Sequence, residues 1–146
     1  CISITIPENN WSVQNDKEFT MISPKGDGES SRLAVFIWGS TDPTNDNAID
    51  DLTEESFDLI SRILVDVEWD EEINEFEQNG ISFVAIDGSG YFVNEDKSKD
   101  AMGCSVFLIM PDDLNIITLV CFGTYESHNK WGDELTQIIL SMKPLK

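Results

Sequence analysis

Runs of apolar residues separated by polar turns predict an antiparallel sheet. Residues 2–7 and 18–23 alternate apolar and polar positions, as half-buried strands do, and residues 32–38 are continuously apolar, which is typical of a central strand. Two longer apolar runs, 102–110 and 115–123, flank the turn sequence Pro-Asp-Asp-Leu and predict a hairpin.

Two segments have the apolar spacing of amphipathic helices. Four strands lie between them, namely a second strand pair followed by the hairpin already described. The first helix is predicted to begin at Asp51 and to reach Val67, followed by an acidic joint at 68–72. A Gln-Asn-Gly turn at 78–80 then joins two strands, and the last helix ends before Pro144. The apolar stripes comprise Phe57, Ile60, Leu64 and Val67 in the first helix and Trp131, Leu135, Ile138, Ile139 and Met142 in the second.

The predicted elements are, in order, three strands, a helix, four strands and a helix. This order predicts an α+β fold in a single domain over residues 1–146. The hairpin strands are apolar on both faces, so the sheet needs a cover on each side. We therefore expect an α/β/α sandwich, an antiparallel sheet of about 6–7 strands with one helix on each face.

The charge balance narrows the classes of partner. The chain has 28 acidic and 9 basic residues, a formal net charge of −19. A field of that sign disfavours nucleic acid and anionic membrane surfaces, and it favours a basic protein face or a divalent cation. Solubility alone is a second explanation of the acidity. The chain has no apolar run of about 18 residues, so no transmembrane helix is predicted.

Cys1 as the first residue has two explanations. A mature bacterial lipoprotein begins at a lipidated cysteine, which makes a lipid anchor and an extracytoplasmic location an expectation. A trimmed chain explains the same residue equally well, and a precursor sequence would separate the two.

The element order and three segments resemble the PsbP-like fold family. These are the opening Ile-Thr-Ile-Pro-Glu-Asn-Asn-Trp-Ser-Val of 4–13, the strand pair at 78–92 and the closing helix at 131–144. The family includes bacterial lipoproteins such as DcrB-like proteins, and its members are mostly accessory, assembly or binding proteins. The resemblance implies a binding role and supplies no catalytic residues.

The glycines of Ala-Ile-Asp-Gly-Ser-Gly-Tyr-Phe, residues 85–92, raise the question of a phosphate-binding loop. A dinucleotide fingerprint has a third glycine and opens a helix, whereas Val93 stands at that position and a strand follows. Gly88 and Gly90 are therefore predicted to allow a bulge, a bend or the close approach of another backbone.

The acidic loop over 40–51 is the candidate metal site, with calcium as the possible ion. The loop does not fit an EF-hand. When Asp42 is counted as position one, Asn47 stands where glycine is required, and Thr53 stands where a bidentate glutamate is required. A solvated turn before a helix is the alternative. The candidate ligands are Asp42, Asp46, Asp50 and Asp51.

Three cysteines and a single histidine are too few for a zinc site. If the hairpin turn has four residues, Met110 faces Asn115, and the same register places Cys104 opposite Cys121. That pairing would allow a disulfide in an oxidising compartment, and two buried thiols are the alternative. A nucleophilic Cys121 with His128 as its base is disfavoured, because an apolar strand and acidic surroundings raise a thiol pKa.

Aromatic residues divide into two predicted groups. Trp38, Phe57, Phe107 and Trp131 fit the core by pattern, and Trp11, Trp69, Tyr91 and Phe92 lie at strand ends or turns where partial exposure is expected. Together these observations predict a non-enzymatic binding or accessory domain that docks a protein partner with a basic face, without a cofactor. The alternative is a small-ligand or cation-binding module that uses the 40–51 loop.

Overall fold

The computed structural model describes residues 2–7, 10–25, 33–40 and 46–144. Within these ranges the elements are two helices and ten strands. The helices are α1 (Asp46–Ser61) and α2 (Tyr125–Leu140). The strands are β1 (Ile2–Ser3), β2 (Trp11–Asn15), β3 (Thr20–Pro24), β4 (Ala34–Ser40), β5 (Val65–Trp69), β6 (Asn74–Gln78), β7 (Ile81–Val93), β8 (Lys99–Met110), β9 (Ile116–Thr124) and β10 (Lys143–Pro144).

Eight of these strands form one antiparallel sheet, in the order β2-β3-β4-β9-β8-β7-β5, and β6 pairs with β7 beside β5. The short strands β1 and β10 pair separately. The predicted strand at 32–38 is confirmed as an interior strand, since β4 lies between β3 and β9. The predicted strand at 2–7 is shorter in the structure, and β2, β5 and β10 were not predicted.

One helix packs on each face of the sheet. Successive residues of a strand point to opposite faces, so Leu108 and Val120 lie under α1, whereas Ile109 and Leu119 lie under α2. The α/β/α sandwich predicted from the two-sided apolar hairpin is therefore confirmed, with eight strands in the sheet rather than six or seven.

The first helix starts and ends earlier than its apolar spacing predicts. It begins at Asp46, whose carboxylate lies in the first turn where the helix dipole favours negative charge. It buries Leu52, Ser56 and Ile60, and residues from Val65 onward are a strand instead. Val-Asp-Val-Glu-Trp alternates like a strand, and pairing with β7 decides its structure.

The closing helix is confirmed but is shorter than predicted, because α2 ends at Leu140 and Met142 of the predicted stripe lies beyond it. Thr124 caps it, its side-chain oxygen accepting a hydrogen bond from the backbone N–H of Ser127 at 3.2 Å. Its predicted apolar stripe is buried against the sheet, and Trp131 meets Trp11 edge-to-face with 5.7 Å between ring centroids. The predicted partial exposure of Trp11 is wrong, because that side chain is 1% exposed in this core cluster.

The Asn-Gly hairpin turn is confirmed. Asn79 and Gly80 both have positive φ, 56° and 79°, as a type I′ turn requires. The Asn79 amide also donates to the backbone oxygen of Met142 at 3.2 Å, so the turn is held against the end of α2.

Candidate binding surface

Two acidic strands, β5 and β6, form one edge of the sheet, with an irregular segment between them. β5 pairs with residues 88–91 of β7 and β6 pairs with residues 81–85, so both lie on the same side of β7. The other side of β7 pairs with β8, which leaves the outer side of β5 and β6 without a strand partner among the described residues. Such an edge presents a row of backbone N–H and C=O groups that can accept another strand.

Residues 65–78, hereafter the acidic edge, have an unusual composition. The segment has seven carboxylates and no lysine, arginine or histidine. All seven are exposed. The Asp66 carboxylate lies 3.5 Å from the Lys99 ammonium, and such a solvent-exposed ion pair contributes little to stability. The carboxylates are Asp66, Glu68, Asp70, Glu71, Glu72, Glu75 and Glu77.

Apolar side chains alternate with these carboxylates. Ile73 is 57% exposed, Val65 39% and Phe76 37%. The Phe76 ring stacks on Phe83 of β7 with 4.8 Å between centroids, which holds β6 against the core on one face. The acidic edge therefore combines apolar contact area and negative charge with an outer side that has no strand partner in the described part of the chain.

Two irregularities limit which strand can add to this edge. Asp66 has a positive φ of 52°, and the register with β7 shifts between Val65 and Glu68, which is a bulge. Regular pairing also stops between β5 and β6, where the Asp70 N–H still donates to the Asp87 carbonyl at 2.8 Å. Bulges and charge are the usual means by which proteins keep an edge from pairing with copies of itself.

The glycine pair of β7 positions β5. β7 pairs with β8 without a register shift from Ser82 to Val93, so Gly88 and Gly90 lie in regular strand. A Cβ on Gly88 would lie 2.7 Å from Cε3 of Trp69, and one on Gly90 would lie 3.1 Å from Cγ2 of Val67. Of the alternatives open from the sequence, close approach of another segment is the one that the structure has.

The candidate metal ligands lie at the start of α1, apart from Asp42, which lies outside the described residues. Asp46, Asp50 and Asp51 are exposed helical residues. Among the described residues, no group of three or more histidine, cysteine, aspartate or glutamate side chains is arranged to hold a metal ion. Calcium binding by this loop stays a prediction, which a melting temperature measured with and without millimolar Ca²⁺ tests.

The cysteine register predicted from a four-residue turn is wrong by one residue. Cys104 faces Phe122, and Cys121 faces Ser105. The cause lies in the turn, where the Asp112 carboxylate accepts from the Leu114 N–H at 2.8 Å and from the Asn115 amide at 2.9 Å. These bonds keep Asn115 within the turn.

A shift of one residue moves a side chain to the opposite face of a sheet. Cys104 therefore lies in the α1 core and Cys121 in the α2 core, and both are free, buried thiols, which is the alternative to a disulfide. Burial raises the pKa of Cys104 to about 11, with Asp87 and Asp70 adding to the shift, and raises that of Cys121 to about 12. Thiols shifted in this direction are poor nucleophiles at neutral pH.

His128 is used for packing against β8. Its Nε2 lies 3.1 Å from the backbone oxygen of Gly103, whereas Cys121 is buried in the core on the α2 face, opposite Ser105 of β8. The sequence argument against a Cys121–His128 pair agrees with this geometry. Sequence reasoning missed the acidic edge itself, because 65–69 was assigned to a helix and its joint. The alternation of Val65, Val67 and Trp69 with acidic residues was the available signal.

Within the described ranges, no helix has both the length and the apolar character needed to cross a membrane.

No protein-family model matches the chain, and the search of curated proteins found no match. Several solved structures are similar to this chain, and two of them are the following. PA94 of Pseudomonas aeruginosa, a protein of unknown function, has a TM-score of 0.49 at 11% identity, covering 94% of this chain and 99% of that one. Cyanobacterial PsbP from Synechocystis has a TM-score of 0.48 at 11% identity, covering 93% of each chain. Such distant likeness says nothing about function, and membership of the PsbP-like family stays a prediction.

Proposed function

We propose that this chain is a non-catalytic binding domain whose acidic edge takes an extended basic segment of a protein partner. One observation supports the proposal above all others. A sheet edge without a strand partner among the described residues coincides with a segment that has seven carboxylates and no basic side chain.

Strand addition suits the regular part of this surface, β6, which pairs with β7 without a register shift, whereas the bulge in β5 disturbs such pairing there. In this binding mode the main-chain hydrogen bonds supply affinity, and the side chains on alternate positions supply selectivity. A typical backbone hydrogen bond contributes about 0.5–1.5 kcal/mol net, and an exposed ion pair about 0.2–1 kcal/mol. Several of each give moderate affinity, and the charges chiefly set the association rate and the choice of partner.

The charge of the acidic edge selects the occupant. A second copy of this chain would place carboxylates opposite carboxylates, and like charges facing each other across a strand pair are destabilising. A strand whose outward positions are lysine or arginine meets the same carboxylates with opposite charge. The acidic edge thus favours a cationic strand over self-association.

A synthetic peptide tests this function. An eight-residue peptide of alternating lysine and valine, labelled with a fluorophore, is titrated with the protein at low salt and again at high salt. We expect saturable binding that weakens as salt rises, because ions screen exposed charges. A peptide with glutamate in place of lysine is expected not to bind.

Variants locate the site. Glu72→Gln/Glu75→Gln/Glu77→Gln removes three charges from the acidic edge and is expected to weaken the lysine peptide severalfold. The matched control, Asp50→Asn/Asp51→Asn/Glu54→Gln, makes the same change in net charge on exposed positions of α1 and is expected to bind nearly as the wild type does. Equal weakening by both triple variants would show diffuse attraction and contradict a site at the acidic edge. Absence of any binding would leave the carboxylates with a role in solubility and edge protection.

A further inference from the structure

A groove with an aromatic floor and an acidic rim lies beside α1, over β4 and the β2–β3 turn. Its volume is about 570 Å³. The rings of Phe19, Phe36 and Trp38 line it, and the residues around them are Glu18, Glu55, Asp58, Leu59 and Arg62. This groove is separate from the acidic edge, which lies at the opposite side of the sheet.

The aromatic floor follows from strand alternation. Phe36 and Trp38 are two residues apart on β4, so both side chains lie on the α1 face, where they pack with the core beneath that helix. Phe19, from the β2–β3 turn, meets Phe36 edge-to-face with 5.5 Å between ring centroids. All three side chains are half-buried, so the rings contribute to the core and still line the groove.

The acidic rim comes from two elements. Glu55 and Asp58 are exposed residues of α1, and Glu18 is an exposed residue of the β2–β3 turn. The negative face of an aromatic ring and a nearby carboxylate both attract a cation, and both repel an anion. Among the described residues that line the groove, Arg62 is the one basic residue, and its guanidinium can compete for the same rings.

The chemistry of these groups selects one class of cation. Among the described residues, no group of three or more carboxylates is arranged to hold a metal ion, and phenyl and indole rings lack the oxygen ligands that hard cations require. An alkylated ammonium group spreads its charge over methyl groups and is weakly hydrated, so it can leave water for an aromatic surface. Aromatic sites are the usual means by which proteins recognise choline and methylated lysine.

We propose that this groove binds an organic cation of the methylated ammonium class, with Phe19, Phe36 and Trp38 contacting the methyl groups and Glu18, Glu55 and Asp58 balancing the charge. The site is independent of strand addition at the acidic edge, so either proposal can fail without the other.

Choline and its neutral isostere 3,3-dimethylbutan-1-ol are the probes. Binding is followed by NMR through the indole N–H signal of Trp38, which the Trp38→Phe variant assigns. We expect choline to shift this signal saturably and the isostere to bind about tenfold more weakly, because it has the shape without the charge. Equal affinity for the two probes would overturn the proposal, since it would show binding by apolar contact alone.

Three variants complete the test. Glu18→Gln/Glu55→Gln/Asp58→Asn keeps the size of exposed side chains, and we expect it to weaken choline binding about tenfold. The triple α1 control Asp50→Asn/Asp51→Asn/Glu54→Gln changes net charge equally and is expected to keep wild-type affinity. Arg62→Gln removes the competing guanidinium and is expected to strengthen binding. Failure of both the wild type and Arg62→Gln to bind choline would refute the site, and equal loss in the two triple variants would also refute it.

Discussion

The replacement Gly88→Ala tests whether β5 is held in place by contact with the glycine pair. The added Cβ would lie 2.7 Å from Cε3 of Trp69 and 2.8 Å from the backbone oxygen of Glu68. Separations below 3.0 Å are not tolerated by real Cβ atoms, so the ring or the strand must move. The ring has little freedom, because it stacks on Phe57 of α1 with 4.1 Å between centroids.

The size of the effect follows from this contact. Inserting one methyl group into packed structure costs about 1–3 kcal/mol. The melting temperature changes by about 2–4 °C per kcal/mol in a chain of about this size. We therefore expect Gly88→Ala to lower the melting temperature by several degrees, with faster hydrogen exchange of the backbone amides of 65–69.

Gly39→Ala is the matched control for this replacement. Gly39 is also a strand residue, its φ is not in the left-handed region, and an added Cβ would meet nothing within 4 Å. There the loss of unfolded-state entropy raises stability by about 0.4–1 kcal/mol. Thermal and urea unfolding measure both variants. If Gly88→Ala is as stable as Gly39→Ala, then β5 does not lie on Gly88, and the account of this edge is refuted.

The remaining predictions concern the thiols and the hairpin turn. In the native protein at pH 8, Cys104 and Cys121 should resist iodoacetamide and should react once guanidinium unfolds the chain; peptide mapping that finds either one alkylated in the native state would contradict their burial. Above about pH 8.5 these thiols lose their protons in the unfolded chain, whereas in the folded protein their pKa values are about 11 and 12. The free energy of unfolding should therefore fall as pH rises, by up to about 1.4 kcal/mol per pH unit for each thiol. This excess fall should be absent from Cys104→Ala/Cys121→Ala, whatever its stability at pH 7, and an unchanged slope would refute the raised values. Gly80→Ala should cost about 1–2 kcal/mol in urea unfolding, because φ there is +79°. Gly80→Asn should cost less, since asparagine tolerates that conformation, and equal costs would contradict this explanation.

Local patterns were sufficient for part of this fold. The Asn79-Gly80 turn, the long apolar hairpin and the apolar stripe of α2 were all identified correctly, because each depends on residues close together in the chain. The two-sided apolar character of β8 and β9 also predicted the layers, since both faces of such a strand must be covered.

Tertiary contacts determined the secondary structure of the segment after α1. Leu64 and Val67 fit a helical stripe, and Val65, Val67 and Trp69 fit a strand, so the sequence supports either structure. Pairing with β7, and the space above Gly88 and Gly90, favour the strand. That outcome brings the carboxylates of 65–78 onto one open edge, which no local pattern shows.

The sequence by itself determined the acidity, the classes of partner that the charge disfavours and the sandwich of layers, because composition and hydrophobic periodicity are properties of the chain alone. Only the tertiary structure decided the register of the strands and which side chains distant in sequence are in contact. One residue more in the β8–β9 turn placed Cys104 and Cys121 on opposite faces. Strand pairing brought Phe19 to Phe36, and the packing of α1 on the sheet brought Phe57 to Trp69. Side chains distant in sequence meet only once the sheet has its register, and both candidate binding surfaces depend on such meetings.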